Sequence, residues 1–510
     1  MRDFRNVCIG DLREGRDVSK SSGGELCKRG SVALVGAGPG DAGLLTLRGC
    51  ELLENAEVVV YDRLVGEGVL RHAPRGAEMI DVGKSGGSHP VPQVEIERIL
   101  AEKAGEGKKV VRLKGGDPFL FGRGGEELAA LMALGISCEV VPGVTSAFAV
   151  PAYAGIPATH RGLASSVHVV AAHRMAENPS LDFETLARLE GTLVFLMGVS
   201  GLNEIASGLI RAGMDGEMPA ALLERGTTAR QRVLKTSLSR LPEEAGRGGF
   251  APPAVLVVGS VVSLADDLDW RGLLPLSGKR ILVTRPEHRK PRLGRMLRDR
   301  GAEVVQLPCI GTEILDGMLP SFEDYEWAVF TSPTGVEAFF ERLRREKRDV
   351  RSLGATKMAA VGPSTLKALE MRGLMVELMP ERYDGAALGG LLAGRACGRV
   401  LLLRAERGAP ELLDILREAG VEYDEFPLYR TLRTEGLEKI DMREIDAAAF
   451  ASASSVRSFA ASYPKADIKA VCIGERTAEA AREAGLATYV AEKATLSDLV
   501  NKVEEAVSEC

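Results

Sequence analysis

The sequence predicts an α/β protein made of several lobes in series, and three observations predict it. Short β-rich runs alternate with helical patterns along the whole chain. Several of those runs end in glycine-rich turns that open directly into helices. The second half also repeats one strand–turn–helix scheme twice. At 510 residues the chain has room for about three or four domains.

Composition narrows the function classes. With 45% apolar and 27% charged residues, the chain reads as ordinary soluble globular protein. A net charge of −6 argues against a general nucleic-acid binder. No apolar run reaches the length of a membrane span. Residues 1–30 lack an apolar core segment, so they read as a disordered leader and not as a secretory signal. The eight cysteines form no C-x-x-C pair. Cys50, Cys138, Cys309 and Cys472 sit in apolar contexts and are expected to be small core residues in a reducing cytoplasm. The six histidines show no metal-ligand spacing, so no structural metal is expected.

The first element is Val32-Ala-Leu-Val-Gly-Ala-Gly-Pro-Gly-Asp-Ala-Gly43, a strand entering a glycine turn, followed by an amphipathic helix from about Leu44 to Asn55. Gly38, Gly40 and Gly43 satisfy G-x-G-x-x-G, and Asp62 ends the next strand, Val58–Tyr61, where a ribose-binding acid would sit. Two residues oppose a dinucleotide site. Pro39 has no N–H to give a phosphate. Asp41 places a carboxylate where a pyrophosphate needs a positive helix end. A loop of this kind suits a ligand that is not an anion.

Further along, Asp81–Pro90 carries Lys84 in a glycine-rich loop. Val110-Val-Arg-Leu-Lys-Gly-Gly-Asp-Pro-Phe-Leu-Phe-Gly-Arg-Gly-Gly-Glu126 runs from a strand through a long glycine loop into a helix. Glycines there let backbone approach a ligand, and Asp117 could accept from its hydroxyl or amine. Val140–Phe148 is another strand–helix junction, where Thr145 and Ser146 either cap the helix or also face that ligand. His160 and Arg161 follow in a loop.

These blocks together resemble the uroporphyrinogen-III C-methyltransferases of the tetrapyrrole methylase class. The matching segments are Leu34–Leu47, Val60-Tyr-Asp-Arg-Leu-Val65, Val82-Gly-Lys84, Arg112-Leu-Lys-Gly-Gly-Asp-Pro-Phe119, Val141-Pro-Gly-Val-Thr-Ser146, Gly155-Ile-Pro-Ala-Thr-His-Arg161, Thr192–Gly198 and Pro252–Gly259. They span about residues 31–265, in order. The resemblance implies a two-lobed methylase fold (lobes about 31–145 and 146–265) holding S-adenosylmethionine, which leaves as S-adenosylhomocysteine. That cofactor carries a sulfonium and no phosphate, which answers the objection from Pro39 and Asp41. By resemblance, cofactor contacts fall on Pro39, Gly115, Gly116, Asp117, Leu120, Thr145, Ser146, Met197, Ala221 and Gly226. Met197 on its own would be read as core. The implied reaction methylates two pyrrole carbons of uroporphyrinogen III to give precorrin-2. The family gives base-like work to Asp62 and donor work to Lys84. Arg63, Arg123, His160 and Arg161 are expected partners for the substrate's carboxylates.

A seam near Leu264–Gly278 separates the halves, with residues 266–277 expected as a linker. In the second half Trp327–Val336 is echoed by Ala447–Val456, and Met358–Thr365 by Lys469–Thr477. The strand–helix unit Arg280–Gly301 precedes both copies. The chain is therefore expected to start one lobe (about 278–312 with 432–510), build a second (about 314–428), and return. Arg285 and Arg404 end strands. Ser332, Thr334, Ser364, Thr365, Ser452, Ser454, Ser455 and Thr477 gather at strand-to-helix turns. Such hydroxyls are usually N-caps, and facing one another they would also suit carboxylates. Tyr429, in Phe426-Pro-Leu-Tyr-Arg-Thr431, falls where the chain crosses back and is a candidate proton donor.

This half is similar to the uroporphyrinogen-III synthases over about residues 278–506. The carrying residues are Thr284-Arg-Pro286, Phe330–Val336, Val361-Gly362, Leu403-Arg404, Tyr429-Arg-Thr431 and Ile473-Gly-x-x-Thr-Ala478. The resemblance implies flavodoxin-like parallel-sheet lobes and a cofactor-free cyclisation of hydroxymethylbilane, with inversion of the last ring and loss of water. Tyr429 would help the hydroxyl leave, and Arg285, Ser332, Arg404, Ser452 and Thr477 would hold substrate. The product of this half is the substrate of the other, so fusion raises its local concentration. The expected partners are small tetrapyrroles, with no nucleic acid or membrane, and a homodimer formed through the methylase half. The competing readings are a nicotinamide dehydrogenase, a methylase of a later corrin or of RNA, and a non-catalytic tetrapyrrole-binding second half.

Overall fold

The computed structural model describes residues 30–74, 76–83, 91–172, 181–284, 292–408, 410–434 and 440–508. They fall into two compact units, one ending at Ala149 and one beginning at Val150. The proposed leader, apart from Gly30, lies outside the described residues.

In the first unit, β1 (Ser31–Gly36), β2 (Val58–Tyr61), β3 (Glu78–Asp81), β4 (Lys109–Lys114) and β5 (Ser137–Val141) form one parallel sheet in the order β3-β2-β4-β1-β5. Strands β1 and β2 are nearly continuous apolar runs because both faces are covered, while the middle strand β4 also buries Arg112 and Lys114. Val35, Leu53, Val59 and Leu113 pack on one face, and Leu34, Val60, Leu100 and Leu131 on the other. The helix expected from Leu44 begins later, at Leu47–Glu54. Thr46 caps it, its hydroxyl accepting from the Gly49 N–H at 3.2 Å. Asp41 caps the short 3₁₀ turn Ala42–Leu44 that fills the gap.

The second unit opens with β6 (Val167–Ala171), β7 (Thr192–Leu196), β8 (Pro219–Glu224), β9 (Arg232–Ser237) and β10 (Ala254–Val258). Their order is β6-β7-β10-β8-β9, with β6–β7 parallel and the other pairings antiparallel. Residues 266–277, expected as a linker, are packed at two points. The Trp270 indole stacks edge-on against Tyr153 at 5.5 Å and donates to the Ala152 carbonyl at 2.9 Å. Leu276 is buried in the core of the lobe that follows. A segment with two such apolar anchors packs instead of spanning.

The rest of this unit realises the repeat. β11 (Arg280–Val283) and β12 (Glu303–Gln306) start one sheet. β13 (Ile310–Ile314), β14 (Trp327–Phe330), β15 (Lys357–Ala360), β16 (Val376–Leu378), β17 (Val400–Ala405) and β18 (Tyr423–Arg433) make the next, in the order β13-β18-β17-β14-β15-β16. The chain returns with β19 (Ala447–Phe450), β20 (Lys469–Cys472) and β21 (Ala487–Val490), giving β12-β11-β19-β20-β21. That is the 2-1-3-4-5 order of flavodoxin-like sheets. The other sheet shows the same order if counted from β17, with β13 added antiparallel on β18. The added strand shifts the expected lobe boundary: residues 310–312, assigned by sequence to the first lobe, belong to the sheet of the second.

Candidate functional site

In the first unit the strand-to-helix loops after β1, β4 and β5 meet backbone to backbone. Gly38 and Gly116 exchange N–H···O bonds of 3.2 and 2.8 Å, both in the left-handed region at φ 75° and 68°. A Cβ on Gly36 would lie 2.4 Å from the Gly143 Cα, and one on Gly143 would lie 2.1 Å from the Gly116 carbonyl. Glycine is therefore required by loop packing before any ligand is considered. Asp117 is part of the same fastening. One carboxylate oxygen accepts from the Phe119 and Leu120 N–H groups at 2.8 and 3.1 Å, the other from Gly143 N–H at 3.0 Å. Thr145 accepts from the Ala147 N–H at 3.3 Å, so its capping role is realised. Pro39, Gly115, Gly116, Leu120, Thr145 and Ser146 all keep partial exposure on these loops.

Asp62 follows β2 with its carboxylate 32% exposed, held by the Arg112 guanidinium at 2.6 Å. Arg112 is 2% exposed and also reaches Glu127 at 3.3 Å. Glu127 is fully buried, and the same oxygen accepts from Lys114 at 2.7 Å and Gln93 at 3.1 Å. Two carboxylates and two cations thus form one line from the interior to Asp62. Burial, reinforced by the neighbouring Arg112 charge, holds the Lys114 ammonium below the usual lysine range. This buried support was missed in the sequence. Arg112 and Lys114 alternate along a strand as if facing solvent, and their partner Glu127 lies in the following helix.

The proposed carboxylate anchors differ among themselves. Arg63 is exposed beside Asp62. Arg123 sits in the left-handed region at φ 57° and is gripped by Glu126 through contacts of 3.0 and 2.6 Å. That pair is exposed and therefore weak. Lys84 and Arg285 lie outside the described residues. Leu64, Phe119 and Phe121 were not singled out in the sequence, yet they stand 61%, 55% and 45% exposed on the loops after β2 and β4. Exposed aromatic and aliphatic side chains gathered on two neighbouring loops suit contact with an apolar surface.

In the second unit Met197, expected by resemblance at the cofactor, does not lie in the core that its composition alone would suggest. It is half exposed and holds φ 58°, a conformation a long side chain adopts only at a cost. Gly226 lies between Arg225 and Thr227, both also at positive φ. A Cβ there would sit 2.2 Å from a Val150 methyl. Ala221 is completely buried in β8, paired with Val257 and Lys235, and offers a ligand no side-chain surface. Ala221 lies in the strand that leads to Gly226. His160 and Arg161 are exposed at a tight hairpin in which His160 and Ala164 exchange two 3.0 Å backbone bonds.

In the repeated half, Ser332 caps the helix Pro333–Arg345, accepting from Gly335 N–H at 3.0 Å, and its hydroxyl meets the Tyr429 hydroxyl at 2.8 Å. Tyr429 is 8% exposed. Burial pushes its phenol above the ordinary value, outweighing the Ser332 hydrogen bond and the Arg404 charge, which pull it down. It therefore keeps its proton at neutral pH. Arg404 is buried, 3.7 Å from Glu425. The chain thus brings together Ser332, Arg404 and Tyr429 at the ends of neighbouring strands. Ser452 caps the equivalent helix Ala453–Ser462, and Thr477 is buried in the first turn of Glu475–Glu483. Burial leaves the Thr477 side chain little surface for substrate.

Two family models match the chain. One, described as tetrapyrrole (corrin/porphyrin) methylases, covers residues 31–242, and the other, described as uroporphyrinogen-III synthase HemD, covers residues 260–501. The chain is similar to a porphyrin biosynthesis protein HemD of Ruminiclostridium josui, at 45% identity over 94% of this chain and 98% of that protein. It is 40% identical to a uroporphyrinogen-III C-methyltransferase of Bacillus subtilis, over 69% of this chain and 73% of that one. A crystal structure of uroporphyrin-III C-methyl transferase from Thermus thermophilus complexed with S-adenyl homocysteine matches at 45% identity, covering 46% of this chain and 100% of that chain, with a TM-score of 0.41.

Proposed function

Because this chain belongs to the family that fuses a tetrapyrrole methylase to a uroporphyrinogen-III synthase, we propose that each half does its chemistry with the side chains assembled above. The protein is a bifunctional enzyme of tetrapyrrole biosynthesis, a methyltransferase joined to a synthase. The finer reading is a sequence of two reactions. The synthase half closes hydroxymethylbilane to uroporphyrinogen III with loss of water, and the methylase half adds two methyl groups to give precorrin-2.

S-adenosylmethionine, when bound, supplies an electrophilic methyl group. The loop residues fit such a cofactor, since Pro39 gives no N–H and Asp41 spends its carboxylate capping Ala42–Leu44. Neither suits a phosphate, which removes the dinucleotide alternative. Pro39, Gly115, Gly116, Leu120, Thr145 and Ser146 are the proposed contacts in the first unit, with Asp117 shaping their loop. Met197 and Gly226 are those in the second. Asp62 is the proposed base. Methylation of a pyrrole carbon leaves a cationic ring that must lose a proton, and a partly exposed carboxylate can receive it or stabilise the cation. Arg112 holds that carboxylate in place. Lys84 is the proposed donor. Arg63, Arg123, His160 and Arg161 are the proposed anchors for the substrate's carboxylates.

In the synthase half, protonated Tyr429 hands its proton to the departing hydroxyl, with Ser332 as its hydrogen-bond relay and Arg404 beside it. Arg285 and Ser452 are proposed to hold the linear substrate. The methylase half is further proposed to pair as a homodimer, and the enzyme to work in the cytoplasm. No described helix is long and apolar enough to cross a membrane.

The observation that carries this reading is the Asp62 carboxylate, exposed at one end and pinned by a buried ion line at the other. Asp62→Asn keeps an oxygen for Arg112. It is expected to slow methylation by about 10²-fold or more and to leave S-adenosylhomocysteine affinity within a few-fold. Parallel loss of cofactor binding would move Asp62 from the substrate to the cofactor.

A further inference from the structure

Cys50 does not behave as the small core residue its sequence context suggests. It lies on the helix Leu47–Glu54, one turn before Glu54, so the two side chains stand on the same face. His72 comes from the turn after the helix Glu67–Leu70, its backbone N–H bonded to the Val69 carbonyl at 3.1 Å. The three donors close a triangle. Cys50 Sγ lies 3.4 Å from Glu54 Oε1 and 3.4 Å from His72 Nδ1, and His72 Nδ1 lies 3.6 Å from Glu54 Oε1.

We propose that Cys50, Glu54 and His72 form a binding site for a borderline-soft divalent cation, zinc being the best fit. Zinc binds thiolate sulfur at about 2.3 Å, imidazole nitrogen at about 2.0–2.1 Å and carboxylate oxygen at about 2.0–2.2 Å in tetrahedral sites. Those bond lengths place such donors roughly 3.3–3.6 Å apart, the separations found here. Hydrogen bonding alone leaves the triangle incomplete. The two sulfur contacts can be hydrogen bonds, but the 3.6 Å between His72 Nδ1 and Glu54 Oε1 is too long for one. A single cation satisfies all three donors at once. The donor set is mixed S, N and O, which suits zinc over magnesium or calcium. Three protein ligands leave the fourth position to water.

The site sits where a clamp would matter. It ties the helix after the Pro39 loop to the segment after the Asp62 loop. Those loops already touch: a Cβ on Gly66 would lie 2.5 Å from the Gly40 carbonyl. Zinc binds thiolate, so uptake releases the Cys50 thiol proton.

The test is titration of the intact protein, stripped with a chelator, with Co²⁺ and then Zn²⁺. The wild type is expected to take up one equivalent at micromolar or tighter Kd. The Co²⁺ form should show a thiolate-to-cobalt charge-transfer band and the intense visible bands of tetrahedral cobalt, both erased by zinc. Cys50→Ser and His72→Ala should each lose the charge-transfer band or the tetrahedral bands and weaken binding at least about 100-fold. Circular dichroism confirms that both variants are folded, as expected for partly exposed positions. Binding unchanged in Cys50→Ser, or a wild-type cobalt spectrum that is octahedral and free of charge transfer, overturns the proposal.

Discussion

Replacing Glu127 by glutamine removes one buried negative charge and keeps size and shape. In the wild type two buried cations, Arg112 at 2% and Lys114 at 3% exposure, face two carboxylates, Glu127 at 0% and Asp62 with its side chain at 32%. The variant leaves two cations to one partly exposed carboxylate, and the oxygen that Lys114 touches at 2.7 Å loses its negative charge. Breaking a buried pair by removing one partner costs about 3–5 kcal/mol. The neighbouring exchange Glu126→Gln disrupts only an exposed pair with Arg123, worth about 0–1 kcal/mol. A difference of about 3 kcal/mol lowers the midpoint of the first transition by roughly 6–15 °C for a unit of this size. Calorimetry of both variants against wild type measures it. A pH series adds a sign. Lys114 titrates below its ordinary range in the folded state, so the unfolded chain binds more protons through that window and stability rises with pH. Without Glu127 the window widens downwards, so the deficit of Glu127→Gln should shrink between pH 7 and pH 10. Equal losses in the two variants, or a deficit that grows with pH, would refute the buried-line account.

Tyr429→Phe should lower the rate of uroporphyrinogen III formation at least tenfold, toward the roughly 10²-fold typical of a lost general acid. It should cost only about 1 kcal/mol for the missing Ser332 bond and leave methylation of supplied uroporphyrinogen III untouched, so assaying both steps on one preparation separates chemistry from unfolding. Met197→Gly relieves a positive φ while removing a proposed cofactor contact. Its melting temperature should hold or rise while S-adenosylhomocysteine binds about tenfold more weakly by calorimetry. A melting temperature several degrees lower would restore the core reading of Met197.

The parts of the fold legible in the sequence were those written in local pattern. The strand–glycine–helix junctions, the capping hydroxyls at Ser332 and Ser452 and the doubled scheme of the second half all declare themselves within a few residues. What stayed hidden depended on partners distant in sequence. Arg112 and Lys114 look like outward strand residues until the helix that follows supplies Glu127. Met197 sits in an apolar run that says core, and only its backbone conformation shows that the side chain is turned out. Cys50 carries no C-x-x-C or histidine spacing, because His72 reaches it through a turn 22 residues on. Residues 266–277 read as polar linker because the weight of Trp270 and Leu276 comes from what they touch. Asp117 sits in a motif that reads as ligand-binding, and its oxygens accept from backbone N–H groups that no one-dimensional pattern displays.

The central claim is that one chain closes a linear tetrapyrrole and then methylates the product. Hydroxymethylbilane and S-adenosylmethionine, supplied together to the intact protein under anaerobic conditions, test it most directly. The expected product, identified by mass and isomer analysis, is the type III macrocycle bearing two added methyl groups, with two equivalents of S-adenosylhomocysteine released. Unmethylated macrocycle, or the isomer mixture that hydroxymethylbilane forms without a catalyst, would contradict the account.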